Sequence, residues 1–408
     1  MNGHRKLSDW SYGKLLSLVA EYGTPLYVID LDRIRKNYRR LSSAFPDANI
    51  YYAAKANTAG AVLQTLGRMG AGIECVSAGE LYRSMRAGIE PAKLLYTAVN
   101  PPDPDLDFAV DLSDITINIG SHDTLRRLSE RNYSGRICLR INTGSGAGHH
   151  KYVSTGSDAK FGFSPEQALE ILSKYSSYDI NIVGIHAHAG SGISPQEMDV
   201  HQNLCKTLGD ISRSSPIDLE FIDIGGGFGV PYGPEDTPLN LSEVSSKIYN
   251  SLGDTSANIV LEPGRYIVAD AGILLTTINT IKYLDSHNIV GVDAGMHTLI
   301  RPALYGSYHD IKNISSPHND SSLPNTTVTG PICESADLLG VNIELGASTP
   351  GDILAIGNAG AYGEAMESQY NSFPRSATVA IDGENVGLIR KRETIEDLCL
   401  YENEVDWF

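Results

Sequence analysis

The chain has 408 residues, 41% hydrophobic and 20% charged, which is ordinary globular composition and suits one large domain with a smaller one. Lysine and arginine number 32 against 49 aspartates and glutamates, a formal net charge of −17, so the basic footprint of a nucleic-acid binder is absent and no such partner is expected. Five scattered cysteines (Cys75, Cys138, Cys205, Cys333 and Cys399) form no CxxC, the N-terminus M-N-G-H-R-K-L-S-D-W lacks an apolar signal core, and no apolar run is long enough to span a membrane, so a reduced, cytoplasmic setting is expected.

The first predicted element is a strand in T-P-L-Y-V-I-D, residues 24–30. Eight short apolar runs follow, at 50–54, 72–76, 94–98, 115–119, 137–141, 182–187, 219–224 and 258–261. Between most of them lie longer stretches with helical spacing, among them T-A-G-A-V-L-Q-T-L-G-R-M, S-H-D-T-L-R-R-L-S-E and S-P-E-Q-A-L-E-I-L-S-K-Y. Each of the three opens on a Ser or Thr suited to an N-cap, and Pro165 suits a first helical turn. Eight β-α repeats with continuous apolar strands predict a parallel (β/α)8 barrel with helices outside. A doubly wound open sheet is the alternative, but G-S-G-A-G-H and G-G-G-F-G-V both lack the final glycine of GxGxxG. After about residue 270 the texture changes. I-L-L-T-T-I-N-T-I, N-I-V-G-V-D-A, N-T-T-V-T-G-P-I, D-I-L-A-I-G and S-A-T-V-A-I read as strands of an antiparallel β domain. The predicted division is 1–29 joining the β domain, 30–270 the barrel and 271–408 the β domain.

Barrel chemistry sits at the C-terminal ends of the strands. The unusual residues cluster there: Lys55 after strand one, Glu74 and Ser77 at strand two, Arg140 and Asn142 at strand five, and His186, His188 and Ser191 at strand six. Asp223 with Gly225, Gly226 and Gly227 ends strand seven, and E-P-G-R (Glu262, Pro263, Gly264, Arg265) ends strand eight. Each has a dull explanation alone: Lys55 can snorkel to water, a lone histidine is usually structural, and G-G-G can simply make a tight turn. Together on one rim they match a ligand with a phosphate, a basic ring nitrogen, a stackable face and an aldehyde. Pyridoxal 5'-phosphate has all four. The competing reading is a metal-dependent hydrolase built on His186 and His188. It is weaker, because such pairs usually stand near the first strand and no further histidine pair ends a later strand.

The motifs Y-A-A-K-A-N, E-C-V-S-A-G-E-L, G-A-G-H-H, K-F-G, H-A-H-A-G-S-G, D-I-G-G-G-F-G, E-P-G-R, R-P-A-L-Y, C-E-S-A-D and G-N-A-G-A-Y-G run through nearly the whole chain. In this set and order the sequence resembles the fold-type III pyridoxal-phosphate decarboxylases, which act on ornithine, diaminopimelate or arginine. The resemblance implies an alanine-racemase-like barrel plus β domain and the following roles. Lys55 carries the cofactor, His188 stacks on its ring, and Ser191, Gly225, Gly226, Gly227, Gly264 and Arg265 hold its phosphate region. Glu262 pairs with the ring nitrogen, Tyr362 reaches the cofactor, and Glu74 and Glu80 balance Lys55. Arg265, Arg301, Tyr305, Glu334 and Tyr362 bind substrate. Cys333 donates the proton and, with Glu334, comes from the other subunit of a homodimer. No metal is expected. C-E-S with R-P-A-L-Y favours meso-2,6-diaminopimelate as substrate, because its distal head needs both a guanidinium and an acid. The expected reaction yields L-lysine and CO2, the last step of lysine biosynthesis. A related decarboxylase for another diamino acid is the alternative, followed by a racemase, which would leave C-E-S unexplained, or a non-catalytic relative. Three positions depart from the common pattern: Glu74 for Asp, the strand-six motif ending A-G-S-G, and Asn358 for Asp.

Overall fold

The computed structural model describes residues 4–144, 146–148, 162–174, 180–316, 322–403 and 405. His149 and His150, and Lys160 and Phe161 of K-F-G, lie outside the described residues. The chain divides into two compact units, one of residues 34–231 and 237–267, the other of 1–33, 232–236 and 268–408.

The first unit is a closed barrel of eight parallel strands: Ala48–Ala53, Gly72–Cys75, Leu94–Tyr96, Thr116–Ile119, Arg136–Arg140, Asn181–His186, Phe221–Asp223 and Asn258–Leu261. Leu261 lies opposite Ile50, so the last strand pairs with the first and no edge is left open. Strands two, three and four are buried along their whole length. Side chains on both faces of each strand are covered, inside by the barrel core and outside by helices, which is why the runs are apolar without alternation.

Helices follow the strands, and their starts obey local chemistry. The Ser121 hydroxyl accepts from the Thr124 N–H ahead of His122–Glu130. Ser164 and Gln167 form a reciprocal capping box with Pro165 at the first turn of Pro165–Ser173. The expected threonine cap of the helix Gly60–Arg68 is not formed. The Asn57 amide oxygen accepts from the Ala59 N–H at 3.0 Å, and the Thr58 hydroxyl accepts from Arg83 at 3.3 Å. Asn57 folds back two residues as an Asx-turn, which takes the place of the cap.

The second unit carries a nine-stranded sheet. Leu26–Asp30 lies at its centre, antiparallel to Gly272–Tyr283 and parallel to Ala377–Asp382. The sheet is therefore mixed rather than purely antiparallel. The N-terminal strand enters from the far end of the chain, so no hairpin constrains its direction. Alternation along it feeds two cores: Leu26 and Val28 pack with Ile273, Leu275 and Val379, while Tyr27 packs with Leu274, Val290 and Leu354. Three strands have no counterpart in the sequence reading: Ile311–Asn313, Leu338–Gly346 and Asn385–Arg390. A buried charge knot ties the N-terminus in. Asp270 accepts from Arg33 Nε (3.1 Å) and Nη2 (2.5 Å) and from the Arg5 N–H (2.9 Å), and lies 3.2 Å from His4 Nδ1.

Candidate active site

Loop bonds gather the C-terminal strand ends of the barrel. The Ala53 N–H donates to the Pro263 carbonyl, the Glu262 N–H to the Gly225 carbonyl, and the Ala187 N–H to the Asp223 carbonyl. A Cβ on Gly264 would stand 3.1 Å from Ala56 Cβ and 3.2 Å from Ala53 Cβ, so the E-P-G-R loop packs directly on the turn Ala54–Ala56 that carries Lys55.

Lys55 Nζ lies 3.0 and 3.2 Å from the two Glu74 oxygens. Glu74 is fully buried, while the Lys55 side chain keeps 36% of its surface. Burial pushes the Glu74 carboxyl up to about 7 against the pull of Lys55, with Glu262 and Glu80 adding to the rise. Glu80 also anchors the local backbone. Its carboxylate accepts from the Val76 N–H at 2.8 Å, and its own N–H donates to the Ser77 hydroxyl at the start of Ala78–Arg86. Lys55 also acts on it electrostatically.

Glu262 and His186 are buried together, with His186 Nε2 3.2 Å from Glu262 Oε2. Burial works to raise Glu262, but His186, Lys55 and His188 outweigh it and hold the carboxyl at about 2. Glu262 is thus an anion whose second oxygen, Oε1, has no hydrogen-bond partner among the described residues. His188 Nδ1 accepts from the Gly190 N–H at 3.0 Å, and burial, then Lys55, hold this ring well below the usual imidazole range. His188 is therefore a neutral, flat ring. With His186 committed to Glu262, the two histidines of H-A-H point to different tasks.

The phosphate-type cradle is built from backbone. Gly225 and Gly227 have φ of 68° and 91°, and a Cβ on Gly226 would stand 2.1 Å from the Glu262 carbonyl oxygen. Only glycine fits this turn. Arg265 Nη2 donates to Ser191 Oγ at 3.0 Å, which puts this guanidinium on the Ser191 side of the rim. His201, on the helix Met198–Ser214, was not singled out in the sequence. Its Nε2–H donates to the Gly226 carbonyl at 2.9 Å, and its ring stacks on Phe228. Burial holds it at about 4, so it stays neutral and keeps that bond.

The remaining candidates lie in the β unit. Arg301 is buried, with its guanidinium 5.2, 5.7 and 5.9 Å from the rings of Tyr232, Tyr305 and Tyr362, and it donates to Ser307 Oγ at 3.0 Å. Tyr362 has a left-handed φ of 57°. Cys333 and Glu334 are exposed: Cys333 Sγ accepts from Asn371 Nδ2 at 3.2 Å, and Glu334 accepts from the Tyr370 hydroxyl. Asp337 of the same motif is buried and accepts from the Met296 and Ile332 N–H groups, pinning the Cys333 loop to the segment that leads to Arg301.

Residues 31–269 match the family described as pyridoxal-dependent decarboxylase, pyridoxal binding domain. The chain belongs to this family. It is 45% identical to the diaminopimelate decarboxylase of Methanothermobacter thermautotrophicus, over 95% of this chain and 94% of that protein. It is 37% identical to that of Aquifex aeolicus, over 94% and 92%. Among solved structures it is similar to diaminopimelate decarboxylase from Helicobacter pylori complexed with L-lysine (TM-score 0.87, 33% identity, 96% of this chain and 98% of that one). It is also similar to the M. jannaschii enzyme in co-complex with L-lysine (TM-score 0.89, 29% identity, 96% and 94%). The family's cofactor is pyridoxal phosphate, and the barrel fits it. The orphaned Glu262 oxygen suits a protonated ring nitrogen, the triple-glycine turn suits a phosphate, and Lys55 suits the aldehyde. Among the described residues, no helix is long and apolar enough to cross a membrane.

Proposed function

We propose that the protein decarboxylates meso-2,6-diaminopimelate to L-lysine and CO2. The observation that carries the reading is the pairing of a buried, anionic Glu262 with an orphaned oxygen and a lysine, Lys55, held on the same rim. Pyridoxal phosphate, when bound, supplies the electron sink for the lost carboxylate.

Each residue has a stated task. Lys55 is the residue to which the cofactor would attach, and Glu74 holds its amine in place. Glu262 keeps the ring nitrogen protonated. Neutral His188 gives a flat surface for the ring. Ser191, Gly225, Gly226, Gly227, Gly264 and Arg265 take the phosphate. Arg301 takes the distal carboxylate of the substrate, with Tyr305 and Tyr362 walling it, and Glu334 takes the distal ammonium. The substrate is thereby held in one orientation, and orientation decides which bond breaks. Cys333 returns a proton to Cα. We place Cys333 and Glu334 across the two-fold interface of a cytoplasmic homodimer, so each dimer holds two composite sites. Their exposure supports this arrangement, since both are open to a partner.

The test compares substrates. With cofactor added, the protein should release CO2 from meso-diaminopimelate with equimolar lysine, and act on ornithine and arginine at least about a hundredfold less well in kcat/KM, the worth of a charged head group left unpaired. Equal turnover of ornithine would assign the protein to another branch of the family.

A further inference from the structure

Asp223, at the end of barrel strand seven, has no part in the mechanism above. It is fully buried, and one of its oxygens accepts from the Gly225 N–H at 2.8 Å. The other, Oδ2, has no hydrogen-bond partner among the described residues. Glu262 is also buried, and oxygen atoms of Asp223 and Glu262 and a nitrogen of His186 lie within 4.8 Å of one another. Two carboxylates this close, out of water, cannot both carry charge.

The neighbours decide which one does. Glu262 faces His186 from strand six, with Lys55 and His188 nearby. Asp223 accepts from the Gly225 N–H, and faces Glu262 from strand eight and Glu74 from strand two. Arg140 and Cys138 of strand five feel both acids. The cationic and polar help is thus on the Glu262 side. Burial, then Glu262, push Asp223 well above the carboxylate range.

We propose that Asp223 is a positioning residue that keeps one proton, directs it toward Glu262, and so presents Glu262 as a single carboxylate of fixed orientation. Glu262 is then held by two donors, His186 and Asp223. It cannot swing away from its post, and the pocket carries one negative charge instead of two. The proposal rests on the reading that Glu262 faces the cofactor ring nitrogen. The protonation itself is a property of the protein alone.

Asp223→Asn is the discriminating variant. Its oxygen can keep the Gly225 N–H, and its amide can donate where the acid proton did. If Asp223 is neutral, the variant should bind pyridoxal phosphate within about threefold of wild type. If Asp223 is an anion, the variant removes a buried charge, and affinity should change by about tenfold or more. The second readout needs no cofactor. The infrared spectrum of the full-length protein at neutral pH should contain a protonated-carboxyl band that shifts when aspartate is carbon-13 labelled and vanishes in Asp223→Asn. If the variant does not fold, the labelled wild type alone decides. A missing aspartic acid band, or one that survives in Asp223→Asn, overturns the proposal. Failure of wild type to bind pyridoxal phosphate with the band intact would instead strike the cofactor reading.

Discussion

Replacing Gly226 by alanine would put a Cβ 2.1 Å from the Glu262 carbonyl oxygen and 2.9 Å from its carbon. Both atoms are backbone, so no side-chain rotation relieves the clash. A tolerable contact lies beyond about 3 Å, so the loops after strands seven and eight must part by roughly an ångström in a close-packed rim. Overpacking of this kind costs about 1–3 kcal/mol. The displaced loop also bears the Glu262 carboxylate, so cofactor binding should weaken by at least about tenfold, since about 1.4 kcal/mol is a factor of ten. The assay is titration of cofactor-free protein with pyridoxal phosphate, read by absorbance, alongside urea unfolding. Gly346→Ala is the control, because no atom lies within 4 Å of its Cβ and no positive φ is at stake. Its stability should stay within about 0.5 kcal/mol of wild type. Wild-type cofactor affinity in Gly226→Ala would refute the claim that this turn is a fitted cradle.

Three further outcomes follow from single contacts. His201→Ala strips the Gly226 carbonyl of its donor, which should cost about 1–3 kcal/mol of stability and weaken cofactor binding; calorimetry and the same titration check both. Asp270→Asn breaks a buried ion pair and should cost about 3–5 kcal/mol at neutral pH. Because the folded carboxyl is held below its unfolded value, the difference from wild type should be full above about pH 4 and shrink as pH falls through the folded value, as denaturation at several pH values would reveal. Ser164→Ala should cost about 1 kcal/mol as a lost N-cap, whereas Thr58→Ala should be near neutral, a contrast that thermal unfolding can resolve.

The barrel was legible because its strands are buried on both faces. I-Y-Y-A-A and N-I-V-L are short continuous apolar runs, and their length and the polar residues that bound them mark them as strands rather than buried helix segments. The missed strands of the β unit are different. Asn385–Arg390 has no buried residue, and Leu338–Gly346 buries only Leu339 and Leu345, six positions apart, so neither shows a continuous core pattern. Site residues at strand ends were legible by position: Lys55, His188 and Glu262 each stand where a barrel rim would hold them. Which partner each would meet was not. That His186 meets Glu262 while Glu80 turns to the Val76 N–H depends on loop geometry that spacing does not encode. His201 gave no signal, since it is one polar residue within an amphipathic helix and acts through a carbonyl 25 positions away.

The most direct test of the account is covalent. Protein saturated with pyridoxal phosphate is reduced with borohydride, digested, and the modified peptide identified by mass spectrometry. The label should fall on the peptide containing Lys55, in about one copy per chain, and be lost in Lys55→Ala together with turnover. A label on another lysine, or turnover that survives Lys55→Ala, would contradict the assignment of Lys55 as the residue that carries the cofactor.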